Sequence, residues 1–265
     1  MIDNALRDRL AAHAPTAPLL KPLVGGENIR RYHIESAGEH LIVIPCGWTR
    51  AQMTVAGHPL RRDADAWQWF QATHPALAAH LAPFEQACRK REDQGNYWWE
   101  LRPCDYYPHL DAPKIIFPDI CKGPRFTVDH SGVYLKNTAY CLGMDSLYLL
   151  AFLNSRLFWF TIARLSIPFG IRAGEYRYRL IYQYMERVPV RALNLTDPKQ
   201  KGQHDRLVKL VEAMLKAKAQ LSTATTENDR GSIEDKCAGL DRQIDQLVYE
   251  LYDLTEEEIA LVEST

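Results

Sequence analysis

Between residues 156 and 191 the sequence places seven arginines, no lysine and only two acids, Glu175 and Glu186. A guanidinium is planar, permanently charged and forked, so it can hold a phosphate, or the O6/N7 edge of guanine, through two parallel bonds. The cations are densest in FGIRAGEYRYR (Phe169–Arg179), where Arg172, Arg177 and Arg179 stand beside two glycines that let a loop approach a groove closely. Arg164 lies just upstream. Lys122 and Arg125 flank Gly123-Pro124, Lys136-Asn137 sits at the end of a β-prone run, and Lys114 interrupts the apolar PKIIF. These residues are the candidate contacts: lysine and arginine for phosphates, asparagine for adenine. Lys114 reads either as an edge-strand guard or as a phosphate contact. Each also has an ordinary reading as solvated charge or turn polarity.

Other chemistry is missing. The sequence has no Gly-x-Gly-x-x-Gly and no phosphate-cradling Gly-x-x-x-x-Gly-Lys-Ser/Thr. It has no glycine-rich turn for S-adenosylmethionine and no Asn-Pro-Pro-aromatic loop to hold an extruded base. Pro118-Asp119 followed by Lys122 resembles part of a metal-dependent nuclease site, but the remaining ligands are absent. Asp129-His130-Ser131 are adjacent and cannot converge as a triad. His74 and His80 have the wrong spacing for one helical face. Cys46, Cys88, Cys104, Cys121, Cys141 and Cys237 form no Cys-x-x-Cys, which argues against a zinc site, and the sequence shows no signal peptide, from which reduced thiols in a cytosol are expected.

Several elements must position the cations. A short helix near residues 1–14, capped by Asp3 or Asn4, gives way at Pro15, Pro18 and Pro22. Leu41–Ile44 reads as a buried strand. Residues 63–91 read as helix broken at Pro75 and Pro83. PKIIFPDI (113–120), RFTVD (125–129) and GVYLKNTAYCL (132–142) read as short strands, with Asp129–Gly132 as a hairpin turn. Ser146–Leu165 reads as one core helix, with Arg156 and Arg164 excluding a membrane span. Residues 176–185 fit both periodicities, and a helix ending before Pro189 is the preferred reading. Tyr97, Trp98 and Trp99 are expected in the core rather than stacked on bases.

The tail is the clearest element. Leu207, Leu210, Val211, Met214, Leu215 and Leu221 form one stripe. Ile233, Cys237, Leu240, Ile244, Leu247 and Leu251 step by four and three, which keeps an apolar seam on one face. A polar break from Ser222 to Gly231 would make the two an antiparallel pair. Thr255–Glu258 reads as a capping box. The net charge is −1, yet residues 203–265 carry −7, which leaves +6 on the remainder. An acidic tail should avoid DNA and face a protein instead.

LDRQIDQLVYELYDLTEEEIALVE (Leu240–Glu263) resembles the end of the TaqI-like C-terminal specificity domain, found in type II restriction enzymes fused to adenine-specific methyltransferases. Similar segments recur in the same order: PLVGGENIRRY (22–32), HPALAAHLAPFEQACRKREDQGNYWWELR (74–102), PKIIFPDI, LLAFLNSRLFWF (149–160) and YMERVPV (184–190). The resemblance implies an α+β target-recognition domain over residues 1–195 and a helical hairpin over 196–265. It implies a sequence-specific reader of double-stranded DNA in the cytoplasm, with no membrane partner. The methyltransferase/nuclease part lies outside this chain, and S-adenosylmethionine and magnesium are expected only there. The alternative is a protein–protein interaction module using the heptad tail.

Overall fold

The computed structural model describes residues 1–36, 38–58 and 63–264, without the side chain of residue 63. The chain forms two compact units. The first comprises Met1–Leu23, Ser36–Asp111 and Gly132–Tyr134, the second Val24–Glu35, Ala112–Ser131 and Leu135–Thr265.

In the first unit Asp3 ends a two-residue strand and caps the helix Asn4–Ala11, accepting from the Leu6 amide at 2.8 Å. Ile2–Asp3 pairs antiparallel with Glu39–Ile42, which pairs in turn with Leu20–Val24. The two proline breaks fall as expected: Asp63–Thr73 stops before Pro75–Leu81, and a 3-10 turn around Pro83 leads to Glu85–Arg89. Tyr97, Trp98 and Trp99 are buried with Phe70 and Leu77. They follow an irregular turn rather than a strand. Glu100, fully buried, holds that turn by accepting from the amides of Gly47, Thr49 and Asn96. His74 is buried and bonds Thr16 at 3.0 Å.

In the second unit Lys114–Pro118 is the middle strand of three, between Ala139–Leu142 and Thr127–Asp129. Lys114 is therefore not on an edge. It is 0% exposed, and its ammonium lies 2.5 Å from Asp129, so both sequence readings of this residue are corrected. Burial pushes the Asp129 carboxyl up, but bonds from Lys114 and Ser131 outweigh it and hold the carboxyl below its ordinary value. The segment Asp129–Gly132 is not a hairpin turn. Asp129 folds back on the Ser131 amide and hydroxyl, and the strand before it pairs with Lys114–Pro118.

The expected single helix is two, Leu147–Leu153 and Arg156–Leu165. Ser146 and Ser155 each cap one of them. Between the helices Asn154, fully buried, pairs its amide with both the N–H and the C=O of Phe126. A buried side-chain amide that satisfies the backbone groups of the residue just before the strand Thr127–Asp129 stabilises a break that periodicity cannot reveal.

Pro198–Thr223 and Glu227–Leu251 form the helical hairpin, longer than expected because Ser222, Thr223 and Glu227 to Gly231 are helical. Thr255 and Glu258 make the capping box of Glu256–Glu263. The hairpin does not stand apart from the body at residue 195. Val211, Met214 and Ile244 share one continuous core with Ile115, Phe126 and Phe158. Among the described residues no helix is long and apolar enough to cross a membrane.

Candidate nucleic-acid interface

The arginine-rich segment is neither the open loop nor the helix expected from its sequence. Pro168–Arg172 and Glu175–Arg179 pair as an antiparallel ribbon, and Ile120–Cys121 adds a third strand at its base. Arg172 faces Glu175 across a two-residue turn, Ala173-Gly174, with φ of 53° and 79°. Paired positive φ values match the twist of a ribbon, as in a type I′ turn. The register steps from Pro168↔Tyr178 to Ile171↔Tyr176, so the first strand carries one extra residue. This is a β-bulge, and Gly170 at φ 102° accommodates it. A short helix, Tyr182–Met185, follows the ribbon.

Residues opposite one another on a ribbon share a face. One face therefore carries Arg172, Glu175, Arg177 and Arg179. The other carries Ile171, Tyr176 and Tyr178. The basic face is organised around Phe169, whose ring centre lies 5.5 Å from the Arg177 guanidinium carbon and 5.7 Å from that of Arg179. Arg179 is held on its side: Nε and Nη2 donate to the two Asp119 oxygens at 3.2 and 3.0 Å, which raises the arginine's affinity for its proton. Nη1 takes no part in that pairing. Lys122 pairs with Glu175 at 2.8 Å and holds its carboxyl below the ordinary range. Arg172 is exposed at the turn, and the Arg177 Nε has no hydrogen-bond partner.

A second set of expected residues joins this surface through Asp119. The Asp119 amide donates to the Thr138 carbonyl at 2.9 Å, and the Leu180 amide to the Asp119 carbonyl at 2.7 Å. Thr138 follows Lys136 and the exposed Asn137. Its hydroxyl accepts from the Gly26 amide at 3.0 Å, and Lys136 reaches Glu27 at 3.4 Å. A Cβ on Gly26 would collide with the Thr138 carbonyl, which explains the glycine. The Glu27 carboxyl is lowered by its own backbone amide and by Lys136.

The remaining candidates scatter. Arg164 folds over the Phe160 ring, 3.3 Å from its centre, and bonds the Phe160 carbonyl. Arg125 is half-buried beyond the Gly123-Pro124 turn. Lys114 is sealed in the core. Asp119 and Lys122 point to different partners, so they do not form the nuclease fragment their spacing suggested. Asp119, Glu27, Thr138 and Phe169 were not anticipated at this surface. Asp119 and Arg179 are 60 positions apart, and no local pattern links them.

The arrangement presents guanidiniums on a ribbon of two strands, a width the major groove of DNA admits. A family model described as a TaqI-like C-terminal specificity domain matches residues 21–190. The segments from Pro22 to Val190 lie inside that span. The tail segment Leu240–Glu263, where the resemblance reads most strongly by sequence, lies outside it. No curated protein matches. Among solved structures, the chain is similar to a type IIL restriction-modification enzyme, MmeI, in complex with DNA, at 14% identity and a TM-score of 0.51. The likeness covers 98% of this chain and 32% of that one, so the chain spans about a third of its length. At this identity it concerns the fold alone.

Proposed function

The chain belongs to the TaqI-like C-terminal specificity domain family, and from that membership we propose that it reads a short sequence in double-stranded DNA for a restriction–modification enzyme. The ribbon carries the reading, because one face concentrates guanidiniums that an exposed strand pair can deliver to a groove. Arg172 and Arg177 neutralise phosphates, with Lys122 and Lys136 at the margin. Arg179, clamped on its side by Asp119, keeps its end fork for a base edge, and the exposed Asn137, next in sequence to the Thr138 that bonds Asp119, is the second candidate reader. This chain supplies binding and orientation. Adenine methylation and cleavage belong to a catalytic part outside it, with S-adenosylmethionine and magnesium, in the cytoplasm.

Phosphate contacts fix position, and base contacts fix sequence. Selection of bound duplexes from a randomised library tests the reading. Enrichment of one short motif, lost in the Arg177→Ala/Arg179→Ala double variant, supports it. A wild-type chain that enriches no motif refutes it.

A further inference from the structure

A second cluster of charges lies elsewhere in the second unit and takes no part in the proposed reading. A cavity of ≈390 Å³ opens beside the start of the helix Arg156–Leu165. Its walls include the indole of Trp159, the guanidiniums of Arg31, Arg156 and Arg242, and the carboxylates of Asp241 and Asp245.

Part of this cluster supports the fold. Arg31 donates to Asp241 at 2.9 Å and to the Asn154 carbonyl at 2.6 Å. Asp245 accepts from the Arg156 amide at 2.9 Å, the first free amide of that helix. Yet the cluster is not internally satisfied. The Arg31 Nε and the Asp241 Oδ1 are buried without a hydrogen-bond partner. Burial, opposed by Arg31, raises the Asp241 carboxyl above its ordinary value, and burial likewise raises Asp245 against the Arg156 amide. A buried donor and a buried acceptor left open beside a cavity call for a third party that offers both.

The available chemistry is a flat aromatic wall, a carboxylate fork and guanidinium forks. A planar heterocycle suits the indole. A carboxylate only accepts, and a guanidinium only donates. Among the nucleobases, guanine alone offers two adjacent donors, N1–H and N2–H, together with two adjacent acceptors, O6 and N7. Adenine offers a single donor on its pairing edge and cannot fill the carboxylate fork. We propose that this cavity binds a guanine ring, with Trp159 against its face, Asp241 on its donor edge and Arg242 or Arg156 on its acceptor edge. The ring can arrive as a free nucleotide or as an unpaired guanine in DNA. Only the second source rests on the DNA-reading proposal.

Calorimetric titration of the full chain with GMP, AMP and inorganic phosphate tests this. GMP is expected to bind saturably, AMP at least tenfold more weakly, and phosphate not at all. Asp241→Asn should reduce the GMP/AMP ratio to near one. Arg242→Ala, at an exposed position, should weaken GMP while leaving the melting temperature unchanged, which separates loss of the site from loss of the fold. A parallel titration compares a duplex carrying a single bulged guanine with one carrying a bulged adenine, and with the paired duplex. Saturable preference for guanine in either arm upholds the site, and the arm that shows it identifies the source. Equal binding of GMP and AMP together with equal binding of the two bulges, or no saturable binding in either arm, overturns it. Because no randomised library is involved, this outcome is independent of whether the ribbon reads DNA.

Discussion

Asp119 grips Arg179 from the side, through Nε at 3.2 Å and Nη2 at 3.0 Å, and leaves the Nη1 end of the fork unengaged. Asp119 is itself fixed by backbone bonds to Thr138 and Leu180. The guanidinium is thus oriented by a rigid platform rather than by its own flexible stem. Asp119→Ala should free Arg179 to reach any phosphate. Binding to random DNA is expected to hold or tighten, while preference at one base position of the selected motif falls by about tenfold, the ~1–3 kcal/mol of one bidentate base contact. Base-by-base competition measures this. An unchanged preference at every position would remove Asp119 from recognition.

Arg172 and Arg177 should act through charge. Each phosphate neutralised contributes about 0.9 to the slope of log affinity against log salt. Replacing both by alanine is expected to lower that slope by about 2 and to weaken specific and random duplexes alike. Filter binding from low to moderate salt reads the slope. Arg172 is exposed and Arg177 half-buried against Phe169, so the stability change expected within about 0.5 kcal/mol belongs to Arg172→Ala alone, and a large fall in that variant's melting temperature would contradict the assignment.

Much of the tail was legible because helical packing is local. The seam from Cys237 to Leu251 repeats every three or four residues, and the Thr255–Glu258 box sits within one turn. The ribbon was not legible. Its turn is Ala173-Gly174, without the Asn-Gly or Asp-Gly that announces a type I′ hairpin. Its second strand runs straight into Tyr182–Met185, so alternating and helical spacings overlap in one stretch. Lys114 was misplaced for a related reason: a lysine among apolar residues looks like an edge until Asp129, fifteen positions away, is known to neutralise it. The expected boundary at residue 195 could not register a core that joins Tyr32 to residues 115 through 262, because such packing leaves no mark in sequence order.

The turn offers a direct check of the ribbon. Ala173 holds φ 53°, a left-handed value that costs an ordinary L-residue roughly 1–2 kcal/mol. Asparagine tolerates that region better, so Ala173→Asn should stabilise the second unit by up to about 1 kcal/mol without changing the enriched motif. Denaturant melts give the sign. Destabilisation would mean that the segment does not adopt this turn.

The Lys114–Asp129 pair predicts an asymmetry between single and double variants. Removing one partner leaves a buried charge uncompensated, and Lys114→Ala or Asp129→Ala alone is expected to cost about 3–5 kcal/mol. Lys114→Met with Asp129→Leu should cost much less, since an apolar pair removes both charges. Asp129 also gives a pH signature. Its folded pKa lies below the ordinary 3.8, so its contribution is present above that value and is lost as pH falls through the lower, folded one. Melts of wild type and the double variant from neutral pH into acid should therefore converge. A constant gap would show that the pair is not ionised in the fold.

Asp241 predicts the opposite trend. Its folded pKa is raised, chiefly by burial, so the folded form holds its proton more tightly than the unfolded chain does. Between 3.8 and the raised value, stability from this group falls as pH rises, and above that window the full cost of the buried charge remains. Asp241→Asn keeps the shape but loses the ionisation. The variant's melting temperature relative to wild type should thus improve from about pH 4 up to the raised folded value and level off above it. Since Asp241 lies on the long helix Glu227–Leu251, packed into the same core as the sheet, this trend should appear in the single cooperative transition of the second unit. A relative melting temperature that stays flat, or that worsens with rising pH, would show that Arg31 compensates the carboxylate fully and that burial is not its dominant influence.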